Sequence, residues 1–137
     1  MIFQGTIQKG FGTGAFYVQL PHYFQGFTDL LGAPPYPGTL NVLFSEKDNE
    51  ELNRILSFIS PSVISGKQDA NLGDWCIECY PCEIWKKNPK KSVRGLILRF
   101  SRPDHEEEVI ELVSAHFLRE KFTLEDGDLI KFLPIRV

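Results

Sequence analysis

The sequence predicts a mainly β fold, a small six-stranded β-barrel with two or three short helices. Glycine and proline are scattered along the whole chain, the apolar runs are short, and long helical periods are few. About six predicted strands favour closure, because a closed barrel avoids the exposed edges of an open sheet of this size. The length of 137 residues predicts one domain, residues 1–137, without a second core.

The first elements are predicted to be a strand, a glycine loop, a second strand and a helix. Residues 2–8 alternate between two faces, and residues 15–20 are aromatic and β-branched, so both segments are predicted as strands. Glycines at positions 10, 12 and 14 lie between them. Residues 21–32 carry apolar side chains three and four positions apart and end in glycine, which predicts a short helix.

The remaining elements are predicted from the same kinds of pattern. They are a strand at residues 39–44, an amphipathic helix at 48–58, an exposed loop at 59–73, strands at 75–85, 93–100 and 108–114, a helix at 115–122, and a last strand after the turn at 124–128. Gly127 is predicted to adopt a positive φ in that turn.

The glycine loop is a candidate phosphate site. Gly10, Gly12 and Ala15 match the spacing of a dinucleotide-binding loop, but that loop requires a helix after it, and here a strand is predicted. A glycine loop between two strands can instead cover phosphates with its backbone N–H groups, as in protein kinases. The alternative is a flexible hairpin without a ligand.

Thr39 and Asn41 are candidate metal ligands. They are two positions apart on a predicted strand, so their side chains share one face. A hydroxyl and a carboxamide oxygen are neutral ligands that suit Mg²⁺ when phosphates supply the negative charge. The alternative is that both side chains make turn and strand hydrogen bonds.

The cysteines Cys76, Cys79 and Cys82 have a spacing that resembles an iron-sulfur or zinc site. On an extended strand, however, Cys79 faces away from the other two and lies about 10 Å from each of them. We therefore predict structural thiols rather than a metal site. An odd number of cysteines also suits a reducing compartment.

Glu111 is the most suggestive carboxylate, because it has apolar neighbours on a predicted strand. An acid in that setting lies at the mouth of a pocket or is bound to a partner group, unless the position faces solvent. The three histidines are too dispersed to predict a ligand set. No catalytic base is named from the sequence.

The net charge of −3 excludes a polyanion binder that works by bulk charge. Seven of the 15 basic residues lie between Lys86 and Arg102, and this local basic surface can still hold a small anion. The sequence shows neither a signal peptide nor an apolar run long enough for a membrane span, which predicts a cytoplasmic protein.

The order of these motifs along the chain resembles the archaeal CTP-dependent riboflavin kinases. The resemblance rests on the segments GFGTGAFYVQL, PYPGTLNV, YPC and EVIELVSAHFLREKFTLEDGD, and it runs from Ile2 to the C-terminus. It is poor between Glu46 and Trp75. It implies a cradle-loop β-barrel that transfers the terminal phosphate of CTP to the 5′-hydroxyl of riboflavin, giving FMN and CDP.

The resemblance also implies roles for individual residues. The loop over the nucleotide phosphates would be Gly10, Phe11, Gly12, Thr13, Gly14 and Ala15, and the second nucleotide contact would be His116, Phe117, Leu118 and Arg119. Mg²⁺ would bind to Thr39 and Asn41, and the flavin side would hold Glu111 and Pro103. The implied partners are the small molecules CTP and riboflavin, with no nucleic acid or membrane, and the protein is expected to be a monomer.

The chain departs from the family pattern at three places. Pro103 stands where the family usually has a threonine, Ala115 stands where it has a proline, and the segment with the cysteines and two tryptophans is an insertion. Proline lacks both the hydroxyl and a backbone donor. Two alternatives therefore stay open, a kinase acting on another alcohol and a barrel that binds a nucleotide or flavin without catalysis. A nucleic-acid-binding barrel that uses Lys86–Arg102 is least favoured, because aromatic residues are not interleaved with those lysines.

Overall fold

The computed structural model describes residues 1–10, 13–65, 76–100 and 109–135. The strands in these ranges are β1 Phe3–Gln8, β2 Leu40–Leu43, β3 Ser62–Ser65, β4 Cys76–Trp85, β5 Val93–Phe100, β6 Val109–Val113 and β7 Leu129–Pro134. The α-helices are α1 Thr13–Val18, α2 Pro21–Leu31, α3 Glu46–Leu56 and α4 Leu118–Lys121, and Pro89–Lys91 form a single 3₁₀ turn.

Six strands close into an antiparallel barrel in the order β4, β5, β6, β2, β1, β7 and back to β4. β3 lies outside this ring and pairs with the first half of β4, while the second half of β4 pairs with β7. β4 can serve both partners because it is ten residues long. The predicted mainly β, six-stranded barrel is confirmed, with four short helices in the described ranges where two or three were predicted.

Two glycines end or turn the chain as predicted. Gly32 follows α2 with a φ of 74° and donates its N–H to the Thr28 carbonyl at 2.9 Å, which closes the helix. Gly127 has a φ of 93° and donates its N–H to the Ile7 carbonyl at 2.8 Å. The turn before β7 is therefore attached directly to β1.

Two predictions on local structure are wrong. Residues 15–20, predicted as a strand, lie largely in α1, because Tyr17 and Val18 pack against the outer wall of the barrel and this packing outweighs the β propensity of the segment. The chain is thus helical from Thr13 onward, but every strand pairing in the described ranges is antiparallel. The described strands therefore do not form the parallel βαβ unit that a dinucleotide-binding fold requires. Residues 62–65, predicted as loop, form β3 because β4 extends far enough to pair with them.

The helix predicted at residues 115–122 is also shorter than predicted. α4 covers only Leu118–Lys121. The Ser114 hydroxyl accepts a hydrogen bond from the His116 N–H at 3.2 Å, and this local turn competes with helix where the first turn was predicted.

Two apolar clusters lie on opposite sides of the barrel wall. The interior cluster fills the barrel and includes Ile7, Val42, Ile84, Ile110 and Phe132. The outer cluster lies between α1, α2, β3 and the wall, and it includes Tyr17, Phe27, Ile64, Leu98 and Val113. Because the helices cover this part of the wall, strands β5 and β6 are buried on both faces.

The cysteines lie along β4, and Cys79 and Cys82 face opposite clusters as predicted. Burial, aided by the charge of Glu78, raises the pKa of the Cys79 thiol to about 12, and burial raises the pKa of Cys82 as well. In the described part of the chain, no group of three or more His, Cys, Asp and Glu side chains is arranged to hold a metal ion. None of the described helices is long and apolar enough to cross a membrane.

Candidate active site

An open cavity of about 560 Å³ lies where the chain leaving β1 meets β2 and the turn before β7. It is lined by Lys9, Gly10, Ala15, Gly38, Thr39, Asn41, Arg119 and Asp126. A smaller pocket of about 70 Å³ shares Gly38, Thr39 and Arg119 with it. The fold thus brings the predicted phosphate loop, the predicted metal ligands and the predicted second nucleotide contact to one place.

The strand register aligns polar side chains beside the cavity. β1, β2 and β6 place Gln8, Asn41 and Glu111 directly opposite one another. Thr39 lies one residue before β2 and lines the same cavity as Asn41, as the spacing of two predicts.

Gly10 approaches Asn41 so closely that a larger residue would displace the Asn41 amide. A Cβ atom at position 10 would overlap the side-chain amide of Asn41. At Gly38, by contrast, a Cβ atom would lie 3.5 Å from the nearest atom, in the Tyr36 ring, which is ordinary contact. The lack of a side chain at position 10 therefore leaves room for the amide of a predicted metal ligand.

Glu111 is buried, with 4% of its surface exposed. Its Oε1 atom accepts a hydrogen bond from the Thr39 hydroxyl at 2.7 Å and another from the Tyr17 hydroxyl at 2.9 Å. The carboxylate predicted to contact the flavin is thus bonded to a predicted metal ligand. Tyr17 was not predicted as a site residue, since its segment was expected to be a strand.

Arg119 reaches the cavity from α4 and is held there by two acceptors. Its Nη2 atom lies 2.7 Å from Oδ1 of Asp126 and 3.4 Å from the Gln8 carbonyl oxygen. Asp126 belongs to the turn that Gly127 attaches to β1. Lys9 and Asp126 were not predicted as site residues, although one flanks the glycine loop and the other lies in the DGD motif.

The segment before α4 has a mixed role. The rings of Tyr36 and Phe117 stack at 4.2 Å with an interplanar angle of 4°, beside the smaller pocket. Phe117 keeps 39% of its surface exposed and His116 is exposed, so both can meet a ligand. Leu118 is buried in the interior cluster, and its side chain instead anchors α4.

Several predicted site residues are described in part or not at all. Thr13 and Gly14 begin α1, and Ala15 lines the cavity. The predictions for Phe11, Gly12 and Pro103 lie outside the described residues.

The donors in the cavity fit a hard divalent cation. The Thr39 hydroxyl hydrogen is directed to Glu111, which leaves oxygen lone pairs for another partner. Asn41 adds a carboxamide to the same cavity. Oxygen donors of this kind are those that Mg²⁺ prefers, and Mg²⁺ usually completes its shell with water and substrate phosphates.

These features define a class, a barrel protein with an open cavity in which two cationic side chains, Lys9 and Arg119, lie near the neutral oxygen donors of Thr39 and Asn41. The family model CTP-dep_RFKase, described as a domain of unknown function, DUF120, matches residues 7–133. The chain belongs to this family, and the family resemblance of its motifs is confirmed.

Curated relatives support the same assignment. A riboflavin kinase of Sulfolobus acidocaldarius is 36% identical over 129 residues, which are 93% of this chain and 77% of the relative. A riboflavin kinase of Sulfurisphaera tokodaii is 30% identical over 93% of this chain and 90% of the relative. A riboflavin kinase of Saccharolobus solfataricus is 35% identical over 91% of this chain and 69% of the relative.

Proposed function

We propose that this chain is a CTP-dependent riboflavin kinase, which transfers the terminal phosphate of CTP to the 5′-hydroxyl of riboflavin. The observation that supports this most is that Gly10, Asn41 and Arg119, far apart in the sequence, line one cavity. The chain is also 30–36% identical to relatives named riboflavin kinase. In the reaction, the riboflavin oxygen bonds to the γ-phosphorus, the bond to the β,γ-bridging oxygen breaks, and the hydroxyl proton is released.

The phosphates lie between the glycine loop and Arg119. Phosphoryl transfer depends mainly on in-line positioning and on neutralising charge on the transferred group. The segment that runs from Gly10 into the start of α1 supplies backbone N–H groups, and Lys9 and Arg119 supply positive charge in the cavity. Asp126 keeps the guanidinium of Arg119 fixed, so less side-chain entropy is lost when the phosphates bind.

Thr39 and Asn41 are the residues that would hold Mg²⁺. The metal would supply neutralisation of phosphate charge. No catalytic base is assigned, because an electrostatic and positional mechanism needs little proton abstraction by the protein.

The cytosine ring lies beside the stacked pair of Tyr36 and Phe117. The exposed face of Phe117 offers a flat apolar surface within reach of Arg119, since both line the smaller pocket. In this proposal, Glu111 and Pro103 are the residues that contact riboflavin.

The protein acts as a monomer in the cytoplasm. The cavity is built by residues of a single chain, so no second copy is needed to complete it. Cys79 and Cys82 are buried thiols that form no disulfide, which suits a reducing compartment.

Incubating the purified protein with riboflavin, Mg²⁺ and either CTP or ATP tests the proposal. We expect FMN and CDP with CTP, measured by chromatography of the flavins and nucleotides, and little FMN with ATP. Absence of FMN with both nucleotides would refute the kinase proposal. If the protein binds CTP and riboflavin under those conditions without turnover, it is a binding barrel instead.

A further inference from the structure

Three side chains from separate parts of the fold meet at one carboxylate oxygen. Oε1 of Glu111, on β6, accepts hydrogen bonds from Thr39, just before β2, and from Tyr17, on α1. Glu111 and Tyr17 each have only 4% of their surface exposed. Hydrogen bonds to a buried charged group are shorter and stronger than neutral ones, so this arrangement strongly restrains all three side chains.

The bond to Glu111 determines how Thr39 presents its oxygen. A hydroxyl has one hydrogen, and in Thr39 that hydrogen is used by the carboxylate. The lone pairs of the Thr39 oxygen are then available on the cavity side, and the adjacent negative charge makes the oxygen a better donor to a cation. Groups that orient a ligand in this way are a regular part of metal sites.

Tyr17 in turn determines the position of Glu111. Its ring is fixed by edge-on contacts with Tyr23 at 6.1 Å and with Phe100 at 5.3 Å. Its hydroxyl therefore reaches the carboxylate from a rigid base, and it helps to offset the cost of burying the charge. Tyr17 also lies in α1, and the first residues of this helix, Thr13–Ala15, are the last residues of the predicted glycine loop.

We infer that Tyr17 is a positioning residue for the metal site, acting through Glu111 on Thr39. This inference rests on the proposed function, because it takes Thr39 as a ligand of the divalent cation. It gives Glu111 a second role besides the flavin contact, and it links the helix after the phosphate loop to the cation. α1 and the proposed metal ligand Thr39 are then joined through one buried carboxylate.

Tyr17→Phe tests this inference, because it keeps the packed ring and removes only the hydroxyl. The probe is Mn²⁺, titrated by calorimetry into the protein with saturating CDP. We expect roughly tenfold weaker Mn²⁺ binding, the size of effect that loss of a hydrogen bond to a charged group produces. CDP binding without metal should change less than about twofold. Tyr80→Phe is the matched control, since it removes a tyrosine hydroxyl beside Glu78 within the interior cluster, and it should keep the wild-type Mn²⁺ affinity.

Glu111→Gln provides a second, independent measurement, because it keeps the side-chain size and removes the charge. Mn²⁺ binding should weaken at least as much as in Tyr17→Phe, and adding Tyr17→Phe to Glu111→Gln should cause little further loss. The inference would be overturned if Tyr17→Phe kept the wild-type Mn²⁺ affinity, or if the losses in the double variant were strictly additive. It would also be overturned if the wild-type protein bound no Mn²⁺ in the presence of CDP. A wild-type protein that binds CDP and Mn²⁺ but forms no FMN would refute only the proposed kinase activity.

Discussion

At the scale of single residues, the candidate site depends on how closely Asn41 is enclosed. Its neighbours in register are Gln8 and Glu111, and Gly10 lies against its amide. These neighbours limit where the Asn41 amide can lie, although the side chain is only half-buried. The same enclosure makes the site sensitive to small changes in side-chain volume.

Asn41→Ala should abolish metal-dependent turnover while leaving the fold intact. Asn41 is only half-buried, so its removal leaves little cavity, whereas the loss of a ligand should lower the rate of FMN formation by on the order of a hundredfold. The measurement is the FMN rate against Mg²⁺ concentration, together with the thermal unfolding midpoint. Gln4→Ala on the exposed face of β1 is the control, and wild-type turnover in Asn41→Ala would remove this residue from the site.

Gly10→Ala should impair the same step by displacing Asn41. The added methyl group overlaps the amide of Asn41, which can move because it is the end of a flexible side chain, so the fold should survive while the ligand is misplaced. We expect at least a roughly tenfold loss in kcat/KM for CTP. Gly38 lines the same cavity with ordinary clearance, so Gly38→Ala should lose far less kcat/KM for CTP. Equal losses in the two variants would contradict this explanation.

At the scale of elements, the turn before β7 carries Asp126, which binds the guanidinium of Arg119 in the site. Gly127 attaches the turn to β1, the side chain of Asp128 accepts the N–H of Glu125 at 2.9 Å, and Asp126 is left to face Arg119. This backbone hydrogen bond lowers the pKa of Asp128 below its usual range. The turn is therefore a rigid support rather than a loose connection.

Asp126→Asn should weaken CTP binding without changing the fold. Asp126 and Arg119 are partly exposed, so their ion pair adds little stability, but its loss frees Arg119 to leave the cavity. We expect KM for CTP to rise roughly threefold with kcat little changed. Glu125→Gln, an exposed acid in the same turn, is the control, and an equal rise in KM there would show that the effect comes from general charge instead.

Local sequence patterns correctly predicted those elements in which the spacing of apolar residues agrees with the face that is buried. α2 was predicted from its apolar spacing and its terminal glycine, and β1, β4 and β5 from alternation or length. α1 was not, because an aromatic and β-branched segment suits a strand, and only the apolar outer wall of the barrel makes it a helix. A segment's own sequence holds no information on the surface that it will meet.

The same distinction applies to the site. Thr39 and Asn41 share a cavity because a spacing of two on a strand fixes one face, which the sequence alone predicts. The bond between Tyr17 and Glu111 joins residues 94 positions apart, and no local pattern indicates it. The packing of α1 against the outer wall of the barrel determines that pair, so the pair could be found only from the three-dimensional structure.

At the scale of the whole molecule, the barrel wall is buried on both faces. This burial makes the free energy of unfolding depend on pH in the alkaline range. The thiols of Cys79 and Cys82 lie in the outer and interior clusters, where a charged thiolate is strongly disfavoured. The pKa of Cys79 rises from 9.0 to about 12, mainly because of desolvation and then because of the charge of Glu78, and the pKa of Cys82 is raised as well.

The free energy of unfolding should therefore fall as the pH rises from about 9 towards 12. In that window the unfolded chain loses the thiol protons while the folded chain keeps them, so the folded state binds more protons and each pH unit costs up to about 1.4 kcal/mol per thiol. Below pH 9 this contribution is fully present. Urea unfolding at a series of pH values measures the slope of the free energy of unfolding against pH. This slope should be shallower in Cys79→Ala. It should be unaltered in the control Val18→Ala, which shortens a side chain in the same cluster and removes no thiol. A Cys79→Ala slope equal to that of the parent would show that the thiol ionises in the folded barrel and that the wall is open to water at β4.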